Sequence, residues 1–216
     1  MAERCVAILG PGLLGGSLAL ACQERFPTVQ LRVWARRPEA LNRISEHGIH
    51  ATPCATVADC VAGASLIVLA TPVESMLQLA QQIADTHLEN DAILTDVGSV
   101  KGPLVEGITP LFGTPGGPVF VGSHPMAGSE KAGIETARST LFDGATCVIT
   151  PSESTPSTAV DRVSAFWSGL GSRVLAMAAG EHDRHFPPAP PDGGRHHPGC
   201  FKRGSQGRRV RRFRLS

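Results

Sequence analysis

A doubly wound α/β fold around a mostly parallel sheet is predicted by three features of the sequence. Short, β-rich apolar runs recur with room for a helix between them. Each run is nearly continuously apolar, as a strand must be when crossover helices cover both faces of its sheet. The first run leads straight into a glycine-rich turn that opens a helix.

The strands read, in order, as Cys5 to Leu9, Leu31 to Trp34, Leu66 to Ala70, Ala92 to Asp96, Val119 to Val121, Cys147 to Thr150 and Arg173 to Ala176. Helices fall between them over Leu13 to Gln23, Pro38 to Ser45, Val73 to Ala84, Val100 to Leu111 and Thr158 to Leu170. Ser157 or Thr158 is expected to cap the last of these, and Gly169 and Gly171 to follow its end. From Phe186 the periodicity stops, and Pro187, Pro188, Pro190, Pro191, Gly193, Gly194 and the pairs Arg208-Arg209 and Arg211-Arg212 take over. Such a composition buries too little apolar surface to offset the entropy of ordering, so 186–216 is expected to be a disordered basic tail.

The chain has 216 residues, 42% hydrophobic and 18% charged, which suits a single soluble core. Its net charge of +1 hides an asymmetry: residues 1–185 hold 12 Lys/Arg against 18 Asp/Glu, and residues 186–216 hold 8 against 1. A basic arm of this kind raises contact with nucleic acid as a reading. Against it, the tail carries no Phe, Tyr or Trp for stacking beyond Phe201, Phe213 and Phe186 at its first position, and no recognition module. The six cysteines show no paired or zinc-like spacing and read as free thiols in a cytoplasmic protein, with Cys5 and Cys147 in the core. No metal site is expected, and no apolar run approaches the ~20 residues that cross a bilayer.

Gly10-Pro11-Gly12-Leu13-Leu14-Gly15 follows the first strand and begins the first helix. Gly10 permits the tight turn, Gly12 lets a pyrophosphate approach the backbone, and Gly15 lets helix and strand pack closely. The amides that begin the helix at Leu13 and Leu14 face the phosphates with the positive end of the helix dipole. This is a Rossmann-type dinucleotide fingerprint in its proper setting. The second strand ends in Ala35-Arg36-Arg37, with no acid for a ribose 2′-hydroxyl. Arg36 and Arg37 favour NADP by pairing with a 2′-phosphate, or else are solvated charges before a helix, in which case NAD is accepted. Thr71 and Pro72, at the carboxyl end of a later strand, are expected to line the dinucleotide groove.

Two further runs sit at the same sheet edge. In Asp96-Val97-Gly98-Ser99-Val100-Lys101, Ser99 either caps the next helix or hydrogen-bonds a substrate, and the residues alone weigh these equally. The second run, His124-Pro125-Met126-Ala127-Gly128-Ser129-Glu130-Lys131, begins just past a strand. A histidine aimed by a loop at such an edge suits proton transfer, although a lone histidine is more often structural.

Taken together, Gly10 to Gly15, Asp96 to Lys101, His124 to Lys131 and Glu181-His182-Asp183 resemble the prephenate and arogenate dehydrogenases, over about Arg4 to His185. The resemblance implies oxidative decarboxylation of prephenate or arogenate in tyrosine biosynthesis, with hydride transfer to NAD(P)⁺. It assigns His124 as acceptor of the ring-hydroxyl proton, Ser99 as the group that holds hydroxyl and nicotinamide in register, and Glu130 as an acid at the mouth of the site. Residues 1–180 would then be the cofactor domain, and 181–185, with His182, the start of the family's helical domain. That domain, which carries the dimer contacts and cationic substrate ligands, has no counterpart in 186–216, so weak or absent turnover is expected. The alternatives are another NADP-dependent reductase or β-hydroxyacid dehydrogenase, disfavoured by the His124 to Lys131 run, and a non-catalytic NADP-binding protein with a nucleic-acid arm.

Overall fold

In the computed structural model, which describes residues 3–128 and 133–187, β1 (Cys5–Leu9) is buried along its whole length. The strand is central because its five apolar residues leave no polar face to turn to water. From it the chain runs through α1 (Leu13–Arg25), β2 (Gln30–Trp34), α2 (Glu39–Glu46), β3 (Thr52–Cys54), α3 (Val57–Val61), β4 (Leu66–Leu69), α4 (Val73–Ala84), β5 (Ile93–Asp96) and α5 (Gly102–Ile108). Next come a 3₁₀ turn (Thr109–Phe112), β6 (Val119–Pro125), β7 (Thr146–Thr150), α6 (Ser157–Gly169), β8 (Arg173–Ala176) and α7 (Ala179–His185).

Among the described residues these strands form one eight-stranded sheet in the order β3-β2-β1-β4-β5-β6-β7-β8. β1 pairs in parallel with β2 on one side and β4 on the other. The chain therefore leaves β1 in one direction and returns to build in the other, and the crevice at this reversal is where open α/β sheets bind ligands. All pairings are parallel except that of β6 with β7.

β6 changes partner along its length. Val119, Phe120 and Val121 pair with β5, whereas Gly122 to Pro125 pair with β7. The strand thus runs on through His124, and the expected loop histidine is in fact a strand residue. Its backbone is held by a ladder rather than by a turn, which fixes the ring's origin more firmly.

Other expectations are corrected in detail. β3 and α3 were absent from the strand and helix pattern, because β3 has only three residues, one of them Pro53. A proline lacks the amide a central strand needs, but β3 is the edge strand. The helix expected over Val100 to Leu111 begins at Gly102 and gives way to the 3₁₀ turn at Thr109, because Pro110 cannot continue an α-helix. Neither Ser157 nor Thr158 caps α6: Pro156 precedes it and no side chain caps its amides. Cys5, Cys22, Cys54, Cys60 and Cys147 are buried free thiols, and Cys200 lies outside the described residues. No helix among the described residues is long and apolar enough to cross a membrane.

Candidate active site

The glycine loop ties β1 to β4. Gly10 has φ 108°, and a Cβ there would come within 2.8 Å of the Ala70 carbonyl oxygen. A Cβ on Gly15 would collide with the Gly10 carbonyl oxygen, so α1 leaves the turn at a distance only glycine allows. Gly12 differs, since a Cβ there would meet nothing within 4 Å. That open space lies at the start of α1, whose first turn has no capping side chain and no acid. Unpaired amides at a helix start favour an anion.

Across the crevice, the Thr71 hydroxyl oxygen is buried and without a hydrogen-bond partner. A buried hydroxyl left unpaired costs ~1–3 kcal/mol, which a ligand donor or acceptor would recover. Pro72 precedes α4 and is exposed. Leu13 and Leu14 pack partly on the core, leaving their backbone at the loop. Arg36 and Arg37 are both exposed just past β2. The open space over Gly12, the capless α1 and the orphaned Thr71 hydroxyl together fit a dinucleotide.

Where β5 ends, side chains continue its ladder to β6. Asp96 Oδ1 accepts from Ser123 N at 3.0 Å, and Lys101 Nζ donates to the Ser123 carbonyl at 2.8 Å. Lys101 also donates to Asp96 Oδ2, and both side chains are wholly buried. Asp96 Oδ2 further accepts from Gly98 N at 2.8 Å. The Ser123 hydroxyl lies 2.7 Å from that of Thr95 and accepts from Trp167 Nε1 at 3.1 Å. The sequence placed Lys101 on the ligand edge; the structure instead puts it under that edge as a buried cation.

His124 follows this knot directly. Its Nδ1 lies 2.9 Å from His182 Nε2, and His182 Nδ1 lies 2.8 Å from Asp183 Oδ1. Asp183 in turn accepts from Lys101 N at 2.9 Å and Gly102 N at 2.7 Å. The aspartate on α7, and not Ser99, thus caps α5. Ser99 is exposed in the loop between β5 and α5.

Burial, the Lys101 ammonium and the neighbouring His182 push His124 down to about 4, with Asp183 opposing them. Burial also pulls Lys101 below the usual lysine range, against the pull of Asp96. For Asp183, burial acts upward, but hydrogen bonds from Lys101 N, His182 and Gly102 N prevail and hold it below the usual carboxylate range. The outcome is a neutral imidazole at neutral pH, backed by an ionised carboxylate through a second imidazole.

Of the residues singled out from the sequence, Gly10, Gly12, Leu13, Leu14, Gly15, Thr71, Pro72, Ser99 and His124 come to the carboxyl edge of one sheet. Glu130 lies outside the described residues. Asp96, Lys101 and Asp183 join the site without standing out in the sequence, where His182 marks only the entry to a further domain. The adjacent His182-Asp183 pair was the available signal.

The family model described as prephenate dehydrogenase, nucleotide-binding domain, matches residues 18–176. The chain belongs to this family. It is 31% identical over 195 residues to the prephenate dehydrogenase of Bacillus subtilis, a match that covers 84% of this chain and 50% of that protein. It is also 31% identical over 178 residues to the cyclohexadienyl dehydrogenase of Zymomonas mobilis, covering 82% of this chain and 59% of that one. Among solved structures, prephenate dehydrogenase from A. aeolicus in complex with hydroxyphenyl propionate and NAD⁺ superposes with a TM-score of 0.79 at 29% identity, covering 86% and 64% of the two chains. The chain spans about half the length of the Bacillus subtilis relative. The glycine loop lies just ahead of the matched residues and stands on its own geometry.

Proposed function

We propose that this chain binds NAD(P)⁺ across the β1/β4 crevice and takes part in the oxidative decarboxylation of prephenate or arogenate. The observation that carries this reading is His124: a neutral imidazole on the same sheet edge as the glycine loop, in a chain that belongs to the prephenate dehydrogenase family.

In this reading Gly12 and the first amides of α1, at Leu13 and Leu14, hold the pyrophosphate, and Thr71 and Pro72 flank the dinucleotide. Arg36 and Arg37 pair with a 2′-phosphate, so that NADP is preferred and NAD remains usable. Bound NAD(P)⁺ supplies the hydride acceptor. His124 takes the proton as the ring O–H bond breaks; the hydride leaves the carbinol carbon, and the bond to the ring carboxylate breaks to release carbon dioxide. Its electron pair completes the aromatic ring, and His124 returns the proton to the phenolic oxygen. Ser99 holds the hydroxyl in register, and Glu130 is the acidic residue that the family resemblance assigns to this site. Residues 1–180 serve as the cofactor domain, α7 leads towards the substrate-binding region, and the required partner is a small molecule.

The test is a calorimetric titration of the purified chain with NADP⁺ and NAD⁺, followed by a spectrophotometric assay with prephenate and with arogenate. Nucleotide binding with reduced cofactor formed by the parent and lost in His124→Asn is the expected pattern where turnover is measurable. Failure to bind either nucleotide would overturn the reading.

A further inference from the structure

Each link between His124 and Asp183 has a direction, and the direction starts at the aspartate. Asp183 lies where both of its oxygens accept backbone amides, Oδ1 from Lys101 and Oδ2 from Gly102. A carboxylate so placed is an acceptor only. The ring nitrogen facing it, His182 Nδ1 at 2.8 Å, must therefore carry a proton. With that as the one proton on the His182 ring, its Nε2 is bare, and the nitrogen facing it, His124 Nδ1 at 2.9 Å, must be the donor.

We infer that His182 and Asp183 are positioning residues that lock His124 in its Nδ1–H tautomer, leaving Nε2 as the only lone pair with which it can accept a proton. In free imidazole side chains the opposite tautomer, with the proton on Nε2, predominates. An unsupported His124 would thus spend most of its time with that nitrogen already protonated. The logic is that of an aspartate orienting a catalytic histidine in a hydrolase triad, with a second imidazole inserted between them. When Nε2 takes a proton, the positive charge formed on His124 is stabilised along the same path towards the Asp183 carboxylate.

The charged and titratable groups packed around His124 agree with this assignment. Lys101, at the start of α5, presents a buried cation that disfavours a second proton on the His124 ring, and Asp96 of β5 compensates that cation. Cys147 of β7 is kept a neutral thiol by burial. His182 is itself wholly buried. The edge-on packing of the two imidazoles, with ring centres 5.1 Å apart, holds them in hydrogen-bonding rather than stacked geometry.

The inference rests on the proposed role of His124 for its meaning, but its test needs no turnover. Long-range ¹H–¹⁵N correlation spectra of the ¹⁵N-labelled chain at pH 7.5 report which imidazole nitrogen carries the proton, with His124 assigned by its disappearance in His124→Asn. The expected result is a protonated Nδ1 and a bare Nε2. His182→Leu should release His124 to the free mixture dominated by Nε2–H, whereas His182→Gln should retain the native tautomer: its amide nitrogen satisfies Asp183 and its oxygen faces His124. Thermal melts and nucleotide titrations of the same samples report folding and the groove. A protonated Nε2 or a doubly protonated ring on His124 in the parent overturns the inference, whatever the variants do. So does a folded His182→Leu that leaves the native tautomer intact. The expected tautomer in a chain that binds no nucleotide would instead overturn the proposed function and leave the lock standing.

Discussion

His124 and His182, which are 58 residues apart in sequence, face each other across a 2.9 Å link between Nδ1 and Nε2. The link exists because β6 runs on past its pairing with β5, and because α7 folds back so that Asp183 caps α5. One end of the pair is thus anchored in the sheet and the other on a helix start. The imidazole at the ligand edge is held from behind by groups outside its own His124 to Lys131 run.

A first prediction concerns acid. The unfolded chain protonates His124 at its ordinary value of 6.5, while the folded chain holds it down to about 4. Between those values the unfolded state binds more protons, so stability falls as pH drops from about 6.5 towards 4 and gains nothing from this group above 6.5. At 1.36 kcal/mol per unit the full loss is on the order of 3 kcal/mol. Urea melts at pH 7 and pH 4.5 should show a smaller loss in His124→Asn than in the parent, and equal losses would count against the buried neutral histidine.

Lys101 is the second. Lys101→Met leaves the Asp96 carboxylate buried without its cation, a change that costs about 3–5 kcal/mol. Removing the ammonium also removes one of the influences that depress His124, so its titration should move upward. A melt unchanged within about 0.5 kcal/mol of the parent would show that the pair carries little.

The glycine loop separates two kinds of damage. Gly15→Ala forces the new Cβ into the Gly10 carbonyl, and both thermal stability and nucleotide binding should fall. Gly12→Ala meets no protein atom, so its melting should stay within about 0.5 kcal/mol of the parent. Its nucleotide affinity should nevertheless drop at least ~10-fold, because the methyl group stands where the pyrophosphate must approach. Calorimetry on both variants decides; unchanged affinity in Gly12→Ala would remove the pyrophosphate from that space.

Cofactor preference is the fourth. Arg36→Ala with Arg37→Ala removes two exposed cations beyond β2. Charge-assisted hydrogen bonds contribute roughly 1.5–3 kcal/mol, so NADP⁺ affinity should fall ~10-fold or more while NAD⁺ affinity changes less than ~2-fold. Equal losses for both nucleotides would place the arginines elsewhere than on the 2′-phosphate.

Much of this molecule was legible in the order of its residues. The continuous apolar runs of β1 and β4 announce strands covered on both faces, and the spacing of Gly10, Gly12 and Gly15 announces the turn that closes on Ala70. These features are local: strand periodicity, turn geometry and helix starts depend on neighbours within a few residues. The short edge strand β3 escaped because three residues with a proline carry too little pattern. Pro110, by contrast, stood in plain view as the stop for α5.

What only the tertiary structure decided is the protonation chemistry of the site. Nothing local distinguishes Lys101 as a fully buried ion rather than an edge residue, because its burial depends on Asp96 of β5 and Ser123 of β6 closing around it. Nor does the sequence around His124 say which of its nitrogens bears the proton. That is set by His182 and Asp183, and hydrogen-bond direction between groups 58 residues apart exists only once the chain has brought them within 2.9 Å. Residue order determined the fold and the chemical types at the ligand edge. The charge state of the imidazole there depends on desolvation and through-space fields, which arise only from packing.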